Sequence, residues 1–130
     1  LLDRHQLRVE LDNDILFSSG SADLSSEGIT LLQELSPAFS DPGLLVAVEG
    51  HTDNVPIQTR QFPSNWELSS FRATTVARTL MALGVAEHRM KVTGYADTRP
   101  RAPNDTEANR SLNRRVSIVL ELIDPKTPEV

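Results

Sequence analysis

Two charged residues stand where a simple core pattern would not put them, and together they suit the capture of a zwitterion. Asp53 closes an apolar run, in Gly50-His51-Thr52-Asp53-Asn54, at the expected carboxyl edge of a sheet. Arg72 comes one helical turn after Leu68 and one before Val76, so it borders a buried stripe. A guanidinium there keeps its charge and needs acceptors. The pattern leaves three arrangements open. Asp53 and Arg72 form a structural salt bridge, or Arg72 snorkels to the surface, or both charges face a shared pocket and divide their work when a zwitterion enters.

Other chemistries find less support. His51-x-Asp53 offers two ligands from one strand end, and His5 and His88 lie in unrelated segments, so no metal site is expected. The chain has no cysteine and no Gly-x-Ser-x-Gly elbow, and no Ser–His pairing stands out. Gly20-Ser21 lacks the spacing of a phosphate loop. The expectation is a binding protein without cofactor, not an enzyme.

At 130 residues the chain suits one domain, and its 38% hydrophobic and 24% charged residues are ordinary globular values. The net charge of -5 divides unevenly: acidic residues dominate up to Asp53, basic ones from Asn54 to Leu120. An acidic total and 5% aromatic residues speak against nucleic acid. The longest apolar run, Leu44 to Val48, is too short for a membrane span. With no starting Met and no signal peptide, the chain reads as a fragment whose targeting segment lies elsewhere.

Positioning Asp53 and Arg72 takes a sheet and helices. Alternation predicts strands at Leu7–Leu11, continuing through an Asn13-Asp14 turn into Ile15-Leu16-Phe17, then Leu44–Glu49, Met90–Tyr95 and Val116–Leu122. A first helix starts at Ser25 with Leu31, Leu32 and Leu35 on one face, and Pro37 ends or kinks it. A second starts near Ser64, which makes a capping-box spacing with Glu67. Its stripe is Ala73, Val76, Ala77, Leu80 and Leu83, and Gly84 stops it. A short third runs from Thr106 towards Leu112. The fold class is α+β, two layers in the order β-α-β-α-β-(α)-β, with helices on one face. Residues 1–123 form the domain, with its core at 7–122, and 124–130 a flexible tail.

Three blocks, in order over residues 7 to 122, resemble the OmpA-like peptidoglycan-binding domain. They are Ile15-Leu16-Phe17-Ser18-Ser19-Gly20-Ser21-Ala22, then Val48-Glu49-Gly50-His51-Thr52-Asp53 leading to Asn65-Trp66-Glu67-Leu68-Ser69-Ser70-Phe71-Arg72-Ala73, then Gly94-Tyr95, Pro100, Asn104 and Asn113-Arg114-Arg115-Val116. The long connection from Asn54 to Ser64 resembles the MotB/MotD type of flagellar motor stator protein within that family. Asn109-Arg110 departs from the usual Gly-Arg.

The resemblance implies a mixed four-stranded sheet in an OmpA-like sandwich. It also implies that Asp53 binds the ammonium of meso-diaminopimelate in the wall peptide, and Arg72 its carboxylate, the latter through a planar bidentate fork. Thr52, Asn65, Leu68 and Arg114 match positions lining the same pocket. The implied setting is periplasmic, in a homodimeric protein anchored in the inner membrane. A MotA-type subunit would be the partner, through a transmembrane region outside this chain. Two other classes stay open. One is a Pal- or OmpA-type outer-membrane wall anchor. The other is a nucleic-acid-binding sheet, which needs aromatic or basic residues on an open face where alternation puts mainly Glu49, Ser117 and Glu121.

Overall fold

The structure, a computed structural model, describes residues 6–123, so the expected tail at 124–130 lies outside it. The strands are β1 (Gln6–Asp12), β2 (Leu44–His51), β3 (Met90–Gly94) and β4 (Arg115–Leu122). The helices are α1 (Asn13–Leu16), α2 (Ser26–Phe39), α3 (Asn65–Ala82) and α4 (Glu107–Asn113), and a 3-10 turn, Glu87–Arg89, leads into β3. The sheet order is β1-β4-β2-β3, with β2 and β3 parallel and the other neighbours antiparallel. This is the mixed four-stranded α+β arrangement expected. Among the described residues no helix is long and apolar enough to cross a membrane.

One face of the sheet carries the core. Val46 and Val48 of β2 and Val116, Ile118 and Leu120 of β4 meet Leu32 and Phe39 of α2 and Val76, Ala77 and Leu80 of α3. The inward side chains alternate along each strand and recur every third or fourth residue along each helix, which is the pattern that specifies this packing. Helix α3 lies closest to the sheet because Gly50 and Gly94, neighbours in the β2–β3 register, carry no side chain. A Cβ on Gly50 would overlap the Ser69 carbonyl oxygen, and one on Gly94 would overlap the Ser70 hydroxyl.

Two local expectations need correction. The residues after β1 form no second strand: Asp12 caps α1 by accepting from the Asp14 N–H at 2.8 Å. Asn13 is buried and donates its Nδ2 to the His51 carbonyl at 3.0 Å, which ties α1 to the end of β2. Only Phe17 keeps an isolated bridge, to Leu24. Helix α2 also does not end at Pro37 but runs on to Phe39. The proline leaves the Gln33 carbonyl without its backbone donor, and Ser36 Oγ supplies one instead at 3.1 Å. Both other starts hold: Ser25 caps α2, and Ser64 caps α3 while its hydroxyl pairs with Glu67.

The open face of the sheet is more basic than the expected Glu49, Ser117 and Glu121 imply. Arg8, Lys91 and Arg115 stand there beside Glu10, Glu49 and Glu121. Next to them His51 is only 3% exposed, stacks on Tyr95 with ring centroids 5.2 Å apart, and among the described residues has no hydrogen-bond partner on either ring nitrogen. Burial lowers its pKa from 6.5 to about 3, helped by Arg115, Arg8 and Arg99 and with Glu49 Oε1 at 3.9 Å. The unfolded chain therefore takes up a proton at a higher pH than the folded one. Stability contributed by neutral His51 is complete above about pH 6.5 and is lost as pH falls towards 3. Urea unfolding across that window should show about one extra proton bound on unfolding, and His51→Phe should remove it. An unchanged slope in the variant would assign the proton elsewhere.

Candidate functional site

A cavity of about 480 Å³ opens where β2 ends, between α1, the start of α3 and α4. Thr52, Asp53, Asn65, Leu68, Arg72 and Arg114 all line it, so the fold gathers the six residues singled out in the sequence into one space.

Asp53 is placed by the end of β2. Thr52 donates its N–H to the Ala96 carbonyl at 2.9 Å and its hydroxyl to the Asp53 carbonyl at 2.8 Å, fixing the backbone on both sides. The Asp53 carboxylate is 8% exposed as a residue and accepts the Val55 N–H at 3.0 Å through Oδ1. Asn65, first residue of α3, donates Nδ2 to the Val55 carbonyl at 3.0 Å and so pins the connection that follows Asp53. Val55, Pro56 and Ile57 of that connection form part of the cavity wall. Leu68 supplies an apolar wall backed by Ala22, Phe62 and Ile57.

Asp53 and Arg72 are not each other's partner. Asp53 Oδ2 instead accepts from Arg114 Nη1 at 2.7 Å. Arg72 does not snorkel either, since it is 6% exposed. Its Nε donates to the Ser21 carbonyl at 2.7 Å and its Nη2 to the Ser18 carbonyl at 3.3 Å, while Phe17 lies under the guanidinium, 4.9 Å from Cζ to ring centroid. These contacts orient the plane of the group and leave Nη1 without a protein acceptor among the described residues. Burial lowers the Arg72 pKa to about 10, with the Asp14 carboxylate opposing the shift, so the group is charged at neutral pH.

Arg114 is the hub of a wider network. Nη2 reaches Glu107 Oε2 at 2.6 Å and Asp14 Oδ2 at 3.1 Å, beside the bond from Nη1 to Asp53. Those carboxylates, Glu107 foremost, raise the arginine above its ordinary range, and Arg114 in turn lowers Glu107. Asp14 and Glu107 line the cavity and were not anticipated. Asp14, expected in a turn, sits on helix α1, and Glu107 was read only as part of a short helix. The arrangement places three carboxylates around one guanidinium, with a second guanidinium, Arg72, in the same cavity. Among the described residues no group of three or more His, Cys, Asp or Glu is placed to hold a metal ion.

The fold and part of the sequence are shared with known proteins. A family model described as the OmpA family matches residues 16–114. The chain belongs to the OmpA family. Motility protein B of Bacillus subtilis (strain 168) is 34% identical over 116 residues, which are 88% of this chain and 44% of that protein. The chain thus spans less than half the length of that relative. The cell wall anchor of the T6SS from Pseudomonas aeruginosa is 38% identical, with a TM-score of 0.85 over 90% of this chain and 82% of that one. The periplasmic domain of Helicobacter pylori MotB is 25% identical, with a TM-score of 0.86 over 96% and 82%. Within the OmpA family this is a domain of the MotB type.

Proposed function

We propose that this OmpA family domain binds peptidoglycan non-covalently and anchors a MotB-type flagellar motor stator to the cell wall. The ligand is the free amino acid centre of meso-diaminopimelate in the stem peptide. One observation carries this reading: the cavity pairs a guanidinium that is oriented by two carbonyls, with Nη1 unspent, with a buried carboxylate. The ligand carboxylate meets Arg72, and the ligand ammonium meets Asp53, with Asp14 and Glu107 adding to the negative field. Thr52, Asn65 and Arg114 hold these groups in place, and Leu68 packs against the ligand stem. No bond is made or broken, so no catalytic group is needed.

Ligand chemistry provides the test. Lysine-type wall peptide keeps the ammonium for Asp53 but gives Arg72 nothing to hold. A charged group that loses its partner costs roughly 1.5–3 kcal/mol, so the lysine peptide should bind about 10- to 100-fold more weakly. Amidating the distal carboxylate should cost less, because the amide oxygen still accepts a hydrogen bond. Titration calorimetry with soluble diaminopimelate-type, amidated and lysine-type muropeptides ranks the three. Equal affinities would sink the zwitterion clamp.

The setting in this reading is the periplasm, with a MotA-type subunit engaged through a transmembrane region outside this chain. Support comes from Motility protein B and the periplasmic MotB domain among the relatives. Homodimerisation belongs to the same reading, and a monomer at high micromolar concentration in analytical ultracentrifugation would count against a dimer interface within the chain. The likeness to a T6SS wall anchor favours a second setting with the same wall chemistry. Loss of swimming in a deletion strain with secretion intact supports the stator, and the reverse supports the secretion anchor.

A further inference from the structure

A second cavity, of about 410 Å³, lies on the open face of the sheet and shares no residue with the first. We propose that it is a separate ligand site for a phosphate-type oxyanion, held by Arg99, Arg101 and Arg115 over a floor of His51 and Tyr95. Two of these guanidiniums are unspent. Among the described residues, Arg99 and Arg101 enter hydrogen bonds through backbone atoms only, Arg99 accepting at its carbonyl and Arg101 donating its N–H to Asn113. Arg99 is nonetheless positioned, because its Cζ stands 4.5 Å from the Tyr95 ring centroid and Tyr95 stacks on His51 at an interplanar angle of 13°. A stacked, planar fork loses little further freedom when it meets an oxyanion bidentately. Arg115 is fixed through Nε to Glu10 at 3.2 Å and through Nη2 to the Arg99 carbonyl at 3.0 Å.

The charge balance points the same way. Four arginines line this cavity, Arg8 included, against Glu10 and Glu49, which leaves an excess of two positive charges with His51 neutral. That excess matches a dianionic phosphate. The second observation is His51 itself. Its ring is 3% exposed, both nitrogens lack a partner among the described residues, and Nε2 stands 3.9 Å from Glu49 Oε1, too far for a hydrogen bond. A buried N–H without an acceptor is uncommon in a folded protein; the His51 nitrogens are covered, so an oxyanion would supply one only by displacing a neighbouring side chain. Glu10 and Glu49 would repel a long polyanion laid across the strands, and Tyr95 is the one aromatic in the cavity besides His51. A discrete anion therefore fits better than a nucleic acid strand.

The test follows His51 and Tyr95 resonances by NMR in the 130-residue chain while inorganic phosphate is added. Saturable shifts are expected, and the exposed double variant R99Q/R101Q should weaken phosphate binding by roughly tenfold or more. The variant should sediment with peptidoglycan like wild type, which separates this site from the wall-binding cavity. Absence of saturable shifts, or shifts that persist in the double variant, would overturn the proposal. Co-sedimentation with vesicles of equal parts phosphatidylglycerol and phosphatidylcholine identifies the source. Variant-sensitive vesicle binding marks a lipid headgroup, and phosphate binding without it marks a soluble phosphate. Variant-sensitive binding of a thymidine oligonucleotide with no response to phosphate would make the face a nucleic acid surface and refute the discrete site.

Discussion

Arg72→Ala and Asp53→Ala should each abolish sedimentation with purified peptidoglycan while the circular dichroism spectrum stays native-like. Each removes one half of the clamp and strands the opposite charge of the ligand in a partly desolvated cavity. With about 3 kcal/mol for a charge-assisted contact left unmade, the soluble muropeptide should bind roughly 100-fold more weakly. The two variants differ in side effects. Losing the Asp53 carboxylate leaves Arg114 with Glu107 and Asp14, so the network closes over the gap. Losing the Arg72 guanidinium frees the Ser18 and Ser21 carbonyls and the rim they belong to. Arg72→Lys should not rescue, because one ammonium cannot hold two carbonyls and a carboxylate in one plane. Wild-type sedimentation by both alanine variants would place the site elsewhere.

Gly50→Ala should be among the most damaging single substitutions in the fold. The added methyl meets the Ser69 carbonyl oxygen and carbon, which are backbone atoms of α3 and cannot rotate away. Relief requires α3 to lift from β2, which opens the contact with Val48, Val76 and Ala73. Overpacking against backbone costs roughly 3 kcal/mol or more. Urea unfolding should show the loss as a lowered midpoint with unchanged slope. Muropeptide affinity should fall with it, since Leu68 and Arg72 ride on the displaced turn. A midpoint within experimental error of wild type would show that the helix is not seated by this glycine.

The sheet and its two long helices were legible because burial leaves a period in the sequence. Val46 and Val48, Val116 to Leu120, and Ala73 to Leu80 announce their elements by spacing alone. Helix α1 was not, because four residues are too few to show a period, and Ile15-Leu16-Phe17 has strand-like composition. Its identity depends on Asn13 reaching the His51 carbonyl, a contact between distant segments. The site was legible in part for the same reason. Asp53 and Arg72 stood out as charges against an apolar pattern, but their partners did not. The acceptors of Arg72 are backbone carbonyls of Ser18 and Ser21, which leave no side-chain signal. The partner of Asp53 is Arg114, sixty-one residues away, and only a family resemblance pointed to it. The basic open face was missed because attention went to Glu49, Ser117 and Glu121, although Arg8, Lys91 and Arg115 follow the same alternation, and because Arg99 and Arg101 lie in the loop after β3.

The placement of the cavity relative to β1 has a mechanical consequence. The strand enters the fold at Gln6 and ends at Asp12, immediately before α1, whose Asp14 lines the cavity. Tension applied at the Gln6 end and resisted by a ligand in the cavity runs along the axis of β1. The ladder to β4 spans Gln6↔Glu121 to Asp12↔Arg115, and its hydrogen bonds lie across that axis. Such a load shears the ladder, so its bonds share the force together instead of opening one after another. Single-molecule pulling from Gln6 against an immobilised wall fragment should therefore rupture at higher force than pulling β1 sideways off the sheet. Equal forces in the two directions would mean that another element yields first.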